Sequence, residues 1–315
     1  MTSQRTLRRS ITCAGIGLHS GHRVTLTLRP APADYGIRFR RADLGGLEIP
    51  ARVEHVASLN YATGLSFAGA SVETVEHLLA ALVSQGVDNV AIELNTPEVP
   101  IMDGSAAPFV YLLQEAGIKK LSVARRFLKV LRPVSLARGD KHIAIYPADE
   151  FRISYTISFD HPLLRHQSRS IVITPDTFAE ELAPARTFGF LKDLEMLRQQ
   201  GLTLGGSLDN AVVLGETGVL NNTLRFEDEF VRHKILDTIG DLALIGSPII
   251  GHVVAHRGGH ALHTALGRTH AAPRPALNAP GRACDLSGCY RERRTGRNRT
   301  VDRVAKKKGG PYGPP

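Results

Sequence analysis

The chain reads as an α+β protein of two domains built to a similar plan. Three observations lead there. Length and composition are globular: 315 residues, 43% hydrophobic, 22% charged and no Trp, which suits two ordinary cores. Segments that alternate with period two are followed by segments with helical period, and this order occurs twice. A basic stretch of different composition begins at residue 268.

Taken in order, Arg5-Thr6-Leu7-Arg8-Arg9-Ser10-Ile11, Val24-Thr25-Leu26-Thr27-Leu28 and Gly36-Ile37-Arg38-Phe39-Arg40 alternate as strands. Pro30, Pro32 and Asp34 separate the last two. Between the first two, Gly15-Ile16-Gly17-Leu18-His19-Ser20-Gly21 reads as a loop in which glycine permits positive φ. It is a poor phosphate cradle, since no Lys-Ser/Thr follows and no helix opens there. A helix is expected over residues 74–82 with Ser71 as its N-cap. Its apolar face is Val72, Val75, Leu79, Leu82 and Val83, with Glu76 on the border and His77 pointing away. Asp88-Asn89-Val90-Ala91-Ile92-Glu93-Leu94 follows as a strand. Ser105 is placed to cap a helix through 109–113 that ends at Gly117. Residues 119–126 read as a linker.

The second half repeats the order. Strands are expected at 127–136, 142–146, 151–159 and 170–174, then a short helix at 191–200, the glycine-rich loop 201–207 and a strand at 211–214. A helix at 229–242 and a strand at 248–256 close it. Identity between the halves is too low to establish a repeat from the letters.

The helix at 229–242 carries the strongest chemical pattern. At 100° per residue, Val231, Ile235, Leu236, Ile239, Leu242 and Ala243 gather on one side. His233, Asp237 and Asp241 follow at i, i+4 and i+8 on the other, with Lys234 beside them. A His and an Asp one turn apart can both ligate one metal. An isolated His-x-x-x-Asp is nevertheless most often a solvated helix face.

Bulk properties exclude several classes. No run of eighteen apolar residues is present, so no transmembrane segment is expected, and the N-terminus lacks the apolar run of a secretory signal. Three cysteines cannot form a disulfide framework, which points to a reducing, cytoplasmic setting. The net charge of +9 is confined to the end: residues 268–315 hold 12 Lys and Arg against 3 Asp and Glu, while residues 1–267 hold 27 of each. The body therefore offers no nucleic-acid footprint.

Five pieces occur in order: Thr74-Val75-Glu76-His77-Leu78, Pro100-Ile101-Met102-Asp103-Gly104-Ser105-Ala106-Ala107-Pro108-Phe109, Ala185-Arg186-Thr187-Phe188-Gly189-Phe190, His233-Lys234-Ile235-Leu236-Asp237 with Asp241, and Gly259-His260-Ala261-Leu262. Together they closely resemble the UDP-3-O-acyl-N-acetylglucosamine deacetylases, zinc enzymes of lipid A synthesis, collinearly from about residue 3 to residue 264. The resemblance implies two domains, each a sheet layer and a helix layer, with the helix layers packed together and the active site between them. It implies Zn2+ on His77, His233 and Asp237, Glu76 as general base, and Thr187 with a protonated His260 at the oxyanion, His260 being paired to Asp241. Lys234 and Arg257 are the implied polar contacts to substrate. Phe188, Phe190, Leu197, Leu202 and Leu208, with Leu191 and Val213, are candidates for an acyl-chain passage, for which plain core packing is an equal alternative. The expected activity is removal of the N-acetyl group from an acylated UDP-N-acetylglucosamine, by a monomer with no nucleic-acid partner. The alternative is another zinc amidohydrolase acting on an N-acylated nucleotide sugar.

The domains expected are 1–120, 127–267 and a basic tail, 268–315. Two features depart from the resemblance. His263 stands where the family usually has Asn, and the tail has six prolines and no apolar periodicity, the composition of disorder.

Overall fold

The computed structural model describes residues 2–220 and 223–270. In the first half, period-two segments become β1 (Ser3–Leu7), β2 (Ile11–Ile16), β3 (Arg23–Pro30), β4 (Ile37–Arg41), β5 (Leu47–Pro50), β6 (Val56–Ser58), β7 (Gly64–Phe67) and β8 (Ala70–Val72). Helix α1 (Glu76–Ser84), β9 (Val90–Leu94), α2 (Ala107–Ala116) and β10 (Ile118–Ala124) follow. The second half runs β11 (Leu128–Lys129), β12 (Val134–Arg138), β13 (Lys141–Tyr146), β14 (Phe151–Ile157) and β15 (Gln167–Val172). It continues through the single turn α3 (Pro175–Thr177), β16 (Phe188–Phe190), α4 (Leu191–Gln199), β17 (Val212–Leu214), α5 (Glu229–Ala243), β18 (Ile249–His256) and α6 (His260–His270). None of the helices among the described residues is long and apolar enough to cross a membrane.

The repeat that the letters conceal is plain in the strand order. The first large sheet is ordered β2-β3-β9-β4-β5, antiparallel except for β9 beside β4. The second is ordered β12-β13-β18-β14-β15, antiparallel except for β18 beside β14. In each half the last strand of the five enters the middle of the sheet after a helix, α1 or α5. Each half also carries extra strands between the fourth strand of its sheet and that helix, β6-β7-β8 in one and β16-β17 in the other. The fold is α+β, two halves of one plan.

Alternation along the central strands supplies the core. Val24, Leu26 and Leu28 of β3, Val90, Ile92 and Leu94 of β9, Ile153, Tyr155 and Ile157 of β14 and Val253 and Ala255 of β18 are all buried. Helices α5 and α6 pack on the second sheet, and α5 packs against α1. At that crossing the helices touch backbone to backbone. A Cβ on Gly240 would lie 2.0 Å from the Glu76 carbonyl oxygen and 2.8 Å from its Cα, so only glycine fits at this point of α5.

Several expectations are corrected. The polar stripe of α5 does not face away from the core: His233, Asp237 and Asp241 are as buried as Ile235 and Leu236, because the opposite face meets α1 instead of water. Glu76 and His77 are buried for the same reason. Helix α1 begins at Glu76 with no side-chain cap, and Ser71 belongs to β8. Residues 118–124 form β10, paired with β1, and are not a linker. The segment 127–136 divides into β11, which runs parallel to β18, and β12, which pairs with β13. Strand β2 takes in Gly15 and Ile16 from the expected loop. Helix α6 runs through residue 270, with His270 buried, so residues 268–270 belong to the fold. The remainder of the expected tail lies outside the described residues.

Replacing Gly240 with Ala forces two backbones apart at a buried crossing. Overpacking of this kind costs about 1–3 kcal/mol or more, and thermal denaturation should show a clear loss of melting temperature relative to the parent protein.

Candidate active site

The three groups suited to ligate a metal converge where α1 meets α5. His77 comes from the first turn of α1, and His233 and Asp237 from successive turns of α5. One ligand atom of each lies within 4.8 Å of the others, and all three residues are buried. His233 Nε2 is 3.3 Å and His77 Nε2 3.6 Å from the same Asp237 oxygen, Oδ1. Ligands about 2.0–2.1 Å from a tetrahedral ion stand roughly 3.3 Å apart, and both histidines stand close to that distance from Asp237 Oδ1. The donor set fits too. His233 donates its Nδ1 proton to the Ala185 carbonyl at 3.0 Å, which leaves Nε2 unprotonated and turned to the site. Burial pushes the His233 imidazolium down to about 4 despite the pull of Asp237, keeping the ring neutral as a ligand must be. Burial opposes charge on Asp237, but His233, Lys234 and His77 hold its carboxyl well below the ordinary range. These residues could hold a metal ion.

Around this triad the cleft, about 170 Å³, is also lined by Glu76, Thr187, Phe188, Lys234 and His260. The Glu76 carboxylate accepts the Thr63 backbone N–H at 3.1 Å. Burial raises its pKa, His260 and His77 oppose that, and Asp237 and Asp241 reinforce it. A carboxylate so placed is poised to accept a proton. Lys234 reaches Asp237 Oδ2 at 2.8 Å and lies over the Phe188 ring. His260 donates Nδ1–H to Asp241 Oδ2 at 2.8 Å. Burial would lower its imidazolium, but Asp241 first and then Asp237 and Glu76 raise it to about 9. The ring is therefore charged at neutral pH with Nε2 as its second donor.

The other recurring segments are scaffold for these groups. Glu229, fully buried in the first turn of α5, accepts from Arg186 Nε at 2.8 Å, Arg186 N at 2.9 Å and Arg225 N at 2.7 Å. That buried ion pair fixes the segment carrying Thr187 and Phe188 to the helix carrying two of the candidate metal ligands. Thr187 N–H in turn donates to the Gly104 carbonyl at 2.8 Å. Gly104 sits at φ 85 with no room for a Cβ, which would fall 2.1 Å from the Asn210 carbonyl oxygen.

A family model described as UDP-3-O-acyl N-acetylglycosamine deacetylase, LpxC, matches residues 4–271. The chain belongs to this deacetylase family. It is 50% identical to the UDP-3-O-acyl-N-acetylglucosamine deacetylase of Myxococcus xanthus over 289 residues, covering 91% of this chain and 92% of that one. Similar identity, 50% and 51%, relates it to the deacetylases of that name in Pseudomonas entomophila and Anaeromyxobacter dehalogenans, over 84% of this chain and 89% and 86% of theirs.

Set against this family, the site residues expected from sequence divide in three. Glu76, His77, Thr187, Phe188, His233, Lys234, Asp237 and His260 line one cleft, with Asp241 directly behind His260. The passage candidates are dispersed. Phe190 packs on Phe159 and His161, Leu197 and Val213 are buried, Leu202 is half-buried, and Leu191 and Leu208 are exposed. Arg257 does not line the cleft, and its guanidinium pairs with Asp140 at 2.8 Å. Sequence reasoning missed Leu18, Tyr61 and Thr74, which line the cleft, and Thr63, which joins Glu76 to Asp241. Thr63 Oγ1–H donates to Asp241 Oδ1 at 2.6 Å, and a lone threonine in a turn gives no signal of that. A wider depression of about 430 Å³ lies by Arg169, Asp228 and Arg232. Its arginines are already paired with Asp228 and Glu181, and no histidine or cysteine lines it.

The Asp241–His260 pair ties stability to pH. The raised value of His260 means its contribution is complete below 6.5 and lost as pH rises through about 9. Burial works against the Asp241 charge, but His260 and His263 bring its carboxyl down to about 2, so that contribution is complete above 3.8 and lost as pH falls through about 2. The melting-temperature gap between the parent protein and Asp241→Asn should be widest at about pH 4–6.5 and should narrow steadily towards pH 9.

Proposed function

We propose that this chain is a zinc-dependent hydrolase that removes the N-acetyl group of UDP-3-O-acyl-N-acetylglucosamine, releasing acetate. The observation that carries the reading is one cleft that unites a three-ligand metal set, a buried carboxylate and a protonated imidazole. Family membership and the names of the relatives supply the substrate. Zn2+ would be held by His77, His233 and Asp237, an open set of the kind hydrolytic zinc sites use, and would supply Lewis acidity towards the amide carbonyl and towards water.

This chain's own residues do the rest. Glu76 is the general base that removes a proton from the attacking water, and its burial makes it more basic than an exposed carboxylate. As the amide carbon becomes tetrahedral, negative charge collects on its oxygen. The Thr187 hydroxyl and the Nε2–H of His260 are the donors for that charge. His260, kept charged by Asp241, then gives its proton to the departing amine. Lys234, within the cleft and one-fifth exposed, is placed to bind the sugar substituents. Arg257 is a weaker candidate for the diphosphate, because binding requires it to leave Asp140. Phe188 leads towards the region of Phe190, Leu197, Leu202 and Leu208, where the acyl chain would lie. Sparse cysteine supports a cytoplasmic setting for action on this nucleotide sugar.

Metal content and acetate release from the acylated UDP-sugar test the reading together. Asp237→Ala should lose most of its zinc while remaining folded, and full occupancy in that variant would remove Asp237 from the ligand set. Glu76→Ala should keep zinc and lose about 10²–10⁴-fold in kcat. Unchanged turnover there would assign the base elsewhere. The profile of kcat/KM against pH should be bell-shaped, with its basic limb near 9 from His260. Asp241→Asn removes the carboxylate that raises that value, so its basic limb should lie at lower pH.

A further inference from the structure

Asp241 serves two imidazoles. His263, one turn along α6 from His260, is completely buried, and its Nδ1 lies 2.8 Å from Asp241 Oδ2, the same oxygen that His260 uses at the same distance. The far nitrogen, Nε2, is 3.2 Å from the Tyr155 hydroxyl on β14 and 3.2 Å from Thr238 Oγ1 on α5. Thr238 spends its hydroxyl proton on the Lys234 carbonyl at 2.7 Å, which leaves Tyr155 as the donor to Nε2. One arrangement satisfies every atom: Tyr155 O–H donates to His263 Nε2, and His263 Nδ1–H donates to Asp241. The ring is then neutral, as burial dictates against the pull of Asp241. Gly258 closes the outside, since a Cβ there would lie 2.8 Å from the Tyr155 oxygen and 3.3 Å from His263 Nε2. With Thr63 on the other oxygen, Asp241 accepts three hydrogen bonds in a site with no exposure.

We propose that His263 is a positioning residue for the reaction: it shares Asp241 with His260, fixes that carboxylate so that His260 keeps Nε2 in the cleft, and tempers the carboxylate's hold on the His260 proton. This rests on the assignment of His260 as proton donor. The physical basis is competition for one oxygen. Each donor to a carboxylate withdraws charge from it and weakens it as an acceptor for the next. The charged or titrating groups around His260 are Asp241 and Asp237 from α5, Glu76 from α1 and His263 from its own helix. Of these, His263 touches Asp241 without reaching the cleft, so it acts on His260 and not on substrate.

The test compares the full-length parent with His263→Leu, His263→Asn and Tyr155→Phe, each checked for a cooperative melt. Proton NMR should show two downfield Nδ1 resonances in the parent, one for each imidazole. In His263→Leu the His263 signal should vanish and the His260 signal move further downfield, as Asp241 becomes the stronger acceptor. The basic limb of kcat against pH should rise by roughly half a unit to one unit, and kcat at neutral pH should fall by about 10-fold with KM nearly unchanged. His263→Asn, which restores an N–H donor to Asp241, should bring limb and resonance back towards the parent. Tyr155→Phe, which keeps the Nδ1 donor and frees only the far side of the ring, should leave both His signals present with a smaller shift. A folded His263→Leu whose His260 resonance and basic limb stay where they are would overturn the proposal and leave His263 a packing residue. The resonance is read without turnover, so failure of the catalytic assignment, seen as unchanged kcat in His260→Gln, is distinguishable from failure of this inference.

Discussion

The close crossing of α1 and α5 at Gly240 is the constraint on which the rest of the structure depends. Backbone contact with Glu76 is possible because that position of α5 has no side chain. The consequence is geometric. A metal ligand set drawn from two helices needs donor atoms about 3.3 Å apart, and a wider separation of the axes would carry His77 out of reach of Asp237. The same approach shuts bulk water out of the interface and explains why Glu76, His77, His233, Asp237 and Asp241 all lie within a few per cent of complete burial.

Such burial makes charge balance the second constraint. Three carboxylates, Glu76, Asp237 and Asp241, share this interface with two cations, Lys234 and the raised His260. Burying an unpaired charge is strongly unfavourable, so each carboxylate is held by specific donors: Thr63 N–H on Glu76, Lys234 on Asp237, and Thr63, His260 and His263 on Asp241. Lys234 pairs with Asp237 and His260 with Asp241, so the carboxylate left without a cationic partner is Glu76, which lines the same cleft as the three candidate ligands. Glu229 and Arg186 follow the same logic at the helix start, neutralising each other inside the core.

What was legible in the sequence follows from what local pattern can encode. The helical period of 229–242 gave the extent of α5 to within a residue or so, and the alternation of 142–146 and 151–159 gave β13 and β14, the latter two residues too long. The same periodicity misled on direction. An amphipathic pattern assigns the polar face to water, whereas here a second helix covers it and the polar residues are the site. Strand β10 reads as a linker because its basic residues face outward on a short two-stranded pair whose partner, β1, lies more than a hundred residues away. The order of elements pointed to two halves of one plan, but the identity between them is too low to reveal a repeat, because a sheet position requires only alternation, which many sequences supply. The triad, Glu76 and the His260–Asp241 pair were accessible through their resemblance to a family, not through spacing. Thr63, Tyr155 and His263 were not, because their significance is purely three-dimensional.

The two halves share a plan, yet they divide the chemistry unequally. The first half supplies the proposed base and one candidate ligand from a single turn, Glu76 and His77, at the uncapped start of α1. The second supplies two candidate ligands, the proposed acid and most of that acid's hydrogen-bonded support, from α5, the start of α6 and Tyr155 of β14. Thr63 is the joint between the two sets, since its N–H holds Glu76 and its hydroxyl holds Asp241. The proposed base and the proposed acid are thus tied to a single residue just ahead of β7. Any shift of that residue moves both partners together and preserves their separation. This coupling lets the site be built from helices carried on two different sheets. Relative position is set at the helix crossing and at Thr63, and the sheets need only hold the helices in place.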